Sequence, residues 1–389
     1  MLGHVLLMLF PAVPEKLGMV MMDHPYLDSH AILAAGDAAR AGMDPWRPNP
    51  LDTFGRPHCY SSWWLVTGQL GLSRADNTWI GPLWQVSFLA AAVIVLRPMT
   101  VRGMIVAATA LFSPPVILGV SRANNDLLIF TVLVAGLLAL ASGRRYPTAA
   151  FATSVVLATG LKFYPLAAAA ALLSLRPRRH AIAALIITLG LAGAALLTTQ
   201  MDRALAAAPS PLGIMTFGHQ TAMRMAGLEG PAARAVALMV IPALGLLWLA
   251  RGWAPRFSRK EHPGLPEAAF LAGAAILVVC FLAAGSYAYR LIFILLTLPH
   301  LASPNSGPAG KATLALLITV MWMDGIFEWV TGTWLEGAGA GIINAFVGIW
   351  LVASQSIAWL TVSLLAAGLL EYGRSFLKAD TETPCASRV

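Results

Sequence analysis

Charge is what this chain has least of. Asp, Glu, Lys and Arg make up 11% of its 389 residues, where a soluble domain carries about 25%. With 58% of positions hydrophobic, folding alone cannot hide the apolar surface, which excludes an ordinary water-soluble globule. Cysteine is scarce too: Cys59, Cys280 and Cys385 show no paired spacing, so neither a disulfide framework nor a metal knuckle is expected. No repeat of clear period is visible, which gives an inverted-repeat transporter little direct support. No P-loop, Gly-x-Ser-x-Gly or redox motif stands in a fitting context. The His, Cys and acid spacings match no usual metal signature, so no metal and no cofactor are expected. A clear small-residue cleavage site is also missing near the start. Pro11, Pro14, Glu15 and Lys16 interrupt the apolar residues 1–22, which read as a short or tilted first span rather than a cleaved leader; the alternative is a start that falls inside that helix.

What the chain does have is apolar segments, near 3–22, 80–97, 103–119, 126–141, 148–161, 163–175, 181–198, 232–250, 267–284, 287–301, 312–330 and 342–371. A helix needs roughly 20 apolar residues to cross a bilayer core. The expected fold class is therefore all-α, a polytopic transmembrane helical bundle of about 12 spans forming a single domain over 1–389. The net charge of +8 does not point to nucleic acid. Its Lys and Arg sit in short links: Arg97 and Arg102, Arg144 and Arg145, Arg176 to Arg179, Arg251 to Lys260, then Lys311 and the tail. Putting these links in the cytoplasm requires 148–175 to be two short spans broken at Lys162-Phe-Tyr-Pro165, where Pro165 cannot donate a backbone hydrogen bond. Both termini are then cytoplasmic, with a tail at 372–389. The opposite face receives a first periplasmic loop at 23–79 and a second at 199–231. Within the first, residues 27–42 read as an interfacial amphipathic helix ended by Gly42, with Ile32, Leu33 and Ala39 toward the membrane.

That outer face gathers Asp28, Arg56, His58, Tyr60, Arg122, Asn124, Asn125, Asp126, Lys162, Tyr164, His219, Tyr287, Tyr289 and Arg290. Each has a plain reading. Lys162 can snorkel, Arg122 and Asp126 can form a helix-end ion pair, and Arg290 can anchor an aromatic belt. His58 and His219 can be loop histidines, and Asp28 a helix cap. Together they say more, because ionisable groups at span ends are costly and usually face a cavity or a partner. One acid and three cations on one face suit an anionic lipid headgroup and a proton acceptor.

Four stretches stand out in order: the run from Asp28 through the alanine-rich helix to Asp44-Pro45-Trp46, then Arg122-Ala-Asn-Asn-Asp126, Gly160-Leu-Lys-Phe-Tyr-Pro165 and Tyr289-Arg290-Leu-Ile-Phe. Together they resemble family 87 of the membrane glycosyltransferases, within the C-type superfamily. Ser121 stands where these relatives have Glu, and Ala123 where they have Gly. The resemblance implies a polyprenyl-phosphate-sugar-dependent, alpha-mannosyltransferase-like enzyme of a bacterial inner membrane, with a glycan or lipid acceptor. It implies that Asp28 is the catalytic base and that Arg122, Lys162 and Arg290 bind the donor phosphate. His58, Tyr60, Asn124, Asn125, Asp126, Tyr164, His219 and Tyr289 are the candidates to hold the sugar or the acceptor. Asp23 and Asp37 are rival bases. The other readings are a transporter or flippase of a lipid-linked sugar or other anion, and a non-catalytic partner subunit in envelope synthesis.

Overall fold

The computed structural model describes residues 24–97, 100–142, 146–209, 213, 215–257, 264–283 and 286–378. The expected first span at 3–22, the rival base Asp23, and Arg144, Arg145, Arg259, Lys260 and Cys385 lie outside them. The fold is nearly all helical. Helices of eight residues or more are α1 (Leu27–Arg40), α2 (Asn77–Leu96), α3 (Val101–Leu111), α4 (Pro114–Ser121), α5 (Asn125–Ala141) and α6 (Pro147–Leu161), followed by α7 (Arg178–Leu197), α8 (Gly230–Ala250), α9 (Leu265–Ala283), α10 (Ile294–Leu301), α11 (Gly307–Thr333) and α12 (Ala340–Lys378). Two 3-10 helices matter for the site, Tyr164–Ser174 and Ala288–Phe293. Thr216–Phe217 and Ser286–Tyr287 pair as a two-residue antiparallel ribbon.

Among the described residues six helices are long and apolar enough to cross a membrane, or seven if α3 and α4, bent by 54° at their break, form one span. Shorter apolar helices occupy Asn125–Ala141, Pro147–Leu161, Tyr164–Ser174 and Ala288–Leu301. This is consistent with a multi-pass membrane protein. α9 is the hub, with Phe270, Ile276 and Phe281 fully buried against α5, α10 and the Tyr164–Ser174 helix. α7 and α8 lie at the rim and turn residues such as Ile186, Ile187, Leu191, Leu238 and Met239 outward, a surface that water does not favour.

The expected break after α6 is present. Lys162 is extended (φ −154°, ψ 143°), and the chain resumes as the Tyr164–Ser174 3-10 helix with Pro165 in its first turn. One expectation about α1 needs correcting. Its apolar face does not lie on lipid: Ile32 and Leu33 are fully buried with Trp64, Ile80 and Trp84. The cause is a close backbone crossing. A Cβ added at Gly36 would lie 2.6 Å from Thr67 Oγ1 and 2.8 Å from Gly68 N, so the two glycines let α1 sink onto the 62–69 segment. α1 ends at Arg40, and Gly42 turns the chain at φ +75°. At the other end of the chain, α12 runs on to Lys378, so the first part of the expected tail is helical.

Candidate active site

The site is built around the turn between α4 and α5. Arg122 caps the end of α4, Ala123 takes the left-handed conformation (φ +43°), and Asn124 caps α5 by accepting the Asp126 N–H at 2.9 Å. A Cβ is strained at that backbone angle. The turn splays its side chains in two directions. Arg122 and Asn124 reach Asp28; Asn125 and Asp126 reach Lys162.

Asp28 stands in the first turn of α1, where the helix dipole favours an anion. Two backbone bonds stitch this start to the end of α4: Tyr26 N–H donates to Ser121 O at 3.0 Å and Asp28 N–H to Arg122 O at 2.9 Å. The carboxylate then accepts Arg122 Nε at 2.9 Å, Arg122 Nη2 at 2.6 Å and Asn124 Nδ2 at 2.6 Å. An ionised carboxylate has about four acceptor positions; three are filled, and the open one belongs to Oδ1. Arg56 Nη1 stands 3.7 Å from that atom.

The second cluster is deeper. Lys162 Nζ donates to Asn125 Oδ1 at 2.7 Å and to Asp126 Oδ1, which also accepts the Tyr164 hydroxyl. The ammonium lies over the rings of Tyr60, Tyr164 and Tyr289 at 5.3, 5.7 and 5.9 Å. The Arg290 guanidinium sits 5.0 Å from the Tyr164 ring, and its buried Nε has no hydrogen-bond partner among the described residues.

Both clusters border one cavity of about 370 Å³. Asp28, Arg56, Cys59, Tyr60, Arg122, Lys162, Tyr289 and Arg290 line it, with Met201, Leu205 and Pro209 as an apolar wall. Asn124, Asn125, Asp126 and Tyr164 stand behind that lining and hold it. His58 is also behind it, its Nε2 3.1 Å from Ser61 O and its ring between Trp46 and Tyr60. Burial pushes its imidazole down to about 4. His219 is not brought here. Its Nδ1 bonds Phe281 O at 2.9 Å, and it borders a separate hollow. The rival Asp37 is tied to Arg40 at 2.6 Å and Arg74 at 3.0 Å and does not line the cavity. The plain reading of Arg122 as a partner of Asp126 also fails, because the two pair with Asp28 and Lys162.

Sequence reasoning gave Arg56 no role, and it missed Asp52 and Cys59. Asp52 binds Arg56 through Oδ1 and Oδ2 at 2.8 and 2.9 Å and accepts the N–H groups of Phe54 and Arg56. Burial opposes its charge, yet the bonds from Arg56, with the His30 ring 3.6 Å away, hold its carboxyl well below the usual carboxylate range. The available signal was the four-residue spacing of Asp52 and Arg56 around a Gly turn.

The cations and acids of the site nearly cancel. Asp52 pairs with Arg56, Asp28 with Arg122 and Asp126 with Lys162, while Arg290 has no salt-bridge partner among the described residues. The surplus is one positive charge, at the cavity wall. Among the described residues no group of three or more His, Cys, Asp or Glu side chains gathers in a way that could hold a metal ion. Comparisons with protein-family models, curated proteins and solved structures give no match to this chain.

Proposed function

We propose that this chain is an inverting membrane glycosyltransferase of the C-type kind. It moves a hexose from a polyprenyl-phosphate sugar to a glycan or lipid acceptor at the periplasmic face of a bacterial inner membrane, in a bundle of about twelve spans with both termini cytoplasmic. The observation that carries this reading is convergence: Asp28, Arg122, Lys162 and Arg290 come from distant parts of the chain to line one cavity. The charge balance supports it as well. A sugar joined to a polyprenol through one phosphate is a phosphodiester with a single negative charge, which one surplus cation matches; a diphosphate brings at least two.

In the proposed reaction the acceptor hydroxyl donates to the open position on Asp28 Oδ1. As Asp28 takes its proton, the acceptor oxygen bonds to the anomeric carbon, and the bond from that carbon to the phosphate oxygen breaks on the opposite side. The electron pair leaves with polyprenyl phosphate, and the anomeric configuration inverts. Charge grows on the phosphate as the bond breaks, so a fixed cation there acts mainly on the transition state. Arg290 faces that charge directly. Arg122 holds the base by two bonds, and Lys162 adds positive potential from the wall. The apolar wall at Met201, Leu205 and Pro209 suits the first isoprene units.

The test is Asp28→Asn in a purified, reconstituted sample supplied with a polyprenyl-phosphate hexose and an acceptor extract. Loss of a general base lowers turnover by roughly 10²–10⁴-fold, with an unchanged elution profile as the fold control. Full activity in that variant removes Asp28 from the mechanism. The transporter reading separates in liposomes, where lipid-linked sugar that crosses the bilayer with its glycosidic bond intact favours transport.

A further inference from the structure

His219, set apart from the Asp28 cavity, borders a hollow of about 190 Å³ with Gln220, Arg224, Glu229, Ala233 and Arg234. The hollow sits at the start of α8, one of the helices able to cross a membrane. Three observations on it point the same way.

The first is the helix end. The Glu229 side chain makes no capping bond to the first turn of α8, so N–H groups there stay open, and they favour an anion. The second is charge. Arg224 Nε and Glu229 Oε1 are 2.8 Å apart and offset each other, whereas Arg234, exposed one turn into α8, has no ion-pair partner among the described residues. One positive charge is left. The third is His219, which is 1% exposed. A carbonyl oxygen only accepts, so the 2.9 Å contact with Phe281 O places the proton on Nδ1. With its proton on Nδ1 the ring offers Nε2 as an acceptor, which no donor among the described residues meets, and His219 lines the hollow. A matching ligand carries one negative charge and a hydroxyl.

The surface below says which source supplies it. α8 turns Ala233, Ala237, Ile241 and Gly245 inward and Leu238, Met239, Leu246 and Leu247 outward. An apolar face therefore runs from the hollow down the helix, where acyl chains can lie.

We propose that this hollow binds the headgroup of an anionic phosphodiester lipid of the phosphoglycerol kind. The phosphate sits at the α8 N-terminus beside Arg234, a headgroup hydroxyl donates to His219 Nε2, and the chains follow the outward face of α8. The site is separate from the Asp28 cavity and stands whether or not the chain transfers sugar.

Delipidated full-length protein in a neutral detergent is titrated with four probes, and binding is read by native mass spectrometry. The probes are phosphatidylglycerol, phosphatidylmethanol (the same charge without the headgroup hydroxyl), phosphatidylcholine and chain-free glycerophosphoglycerol. Phosphatidylglycerol is expected to bind several-fold more tightly than phosphatidylmethanol, and both more tightly than phosphatidylcholine. Arg234→Gln, at an exposed position that leaves the fold intact, lowers phosphatidylglycerol affinity by about tenfold. His219→Phe abolishes the preference for phosphatidylglycerol over phosphatidylmethanol. Equal binding of phosphatidylglycerol and phosphatidylcholine, or unchanged affinity in Arg234→Gln, overturns the proposal. Glycerophosphoglycerol binding as tightly as the intact lipid overturns the lipid as the occupant.

Discussion

Asp126→Asn tests how the deeper cluster is held. Asp126 is 0% exposed and Lys162 is 6% exposed, so neither charge has water to fall back on. The substitution keeps the shape of the side chain, and its amide oxygen can still accept one of the two donors that now share Oδ1. The negative charge is lost, and the ammonium stays buried without its acid. Removing one partner of a buried pair costs about 3–5 kcal/mol. Here Asn125 Oδ1 at 2.7 Å and the faces of three tyrosines still hold Lys162, which places the expected loss near 3 kcal/mol, the lower end of that range. The double variant Asp126→Asn/Lys162→Met removes both charges, keeps an acceptor for the Tyr164 hydroxyl, and should recover to within about 1 kcal/mol of the parent, because no uncompensated charge is left. Reversible unfolding in mixed micelles, followed by tryptophan fluorescence, measures both. A single variant within about 0.5 kcal/mol of the parent, or a double variant no more stable than the single, refutes the account of a desolvated, mutually dependent pair.

Three further outcomes follow from the geometry. Ala123→Gly should cause no loss of stability in the same unfolding assay, since relief of the left-handed backbone offsets the roughly 0.5–1 kcal/mol that glycine usually costs; a full loss of about 1 kcal/mol contradicts the strained turn. Gly36→Ala should destabilise by about 1–3 kcal/mol, because its Cβ meets the Gly68 backbone, which cannot swing away; a stability equal to the parent's means the α1 crossing is looser than described. Acidification should loosen the first loop. The His58 imidazole is held down at about 4 against an ordinary 6.5, so the unfolded loop takes up protons first, and stability present above pH 6.5 falls by about 3 kcal/mol as pH drops through 4. Asp52, also held low, adds to the loss below about pH 4, where unfolded aspartate protonates. Hydrogen exchange over residues 44–61 should rise across that window, and flat exchange down to pH 4 contradicts it.

Much of the architecture was legible because its signals are local. Apolar run length marked the helices, and Pro165 after Lys162 marked the break, since a missing N–H and a clash are properties of one residue. The cluster from Arg122 to Asp126 stood out because lipid does not tolerate so many polar side chains together. Pairing was not legible. A four-residue spacing brings two side chains together only on a continuous helix, and Ala123 ends one helix and opens the next, so Arg122 and Asp126 turn to different partners. The face of α1 misled for a related reason. An amphipathic stripe says that something apolar covers it, and the choice between lipid and Trp64 with Trp84 depended on a Gly36–Gly68 crossing between distant segments. His219 was grouped with the cavity residues by its loop, but its bond to Phe281 across 62 positions places it at another hollow.

The segment from Tyr164 to Ser174 gains reach by winding tightly. At about 2.0 Å per residue its eleven residues extend roughly 22 Å, a distance that takes an α-helix about fifteen. With three residues per turn, side chains fall into three straight rows instead of spiralling. Pro165, Ala168, Ala171 and Ser174 form one such row, and all four are buried. Small side chains in register make a flat edge instead of a ridge, so neighbouring helices can press against the rod along its length and fix where its first residue, Tyr164, ends up beneath the cavity.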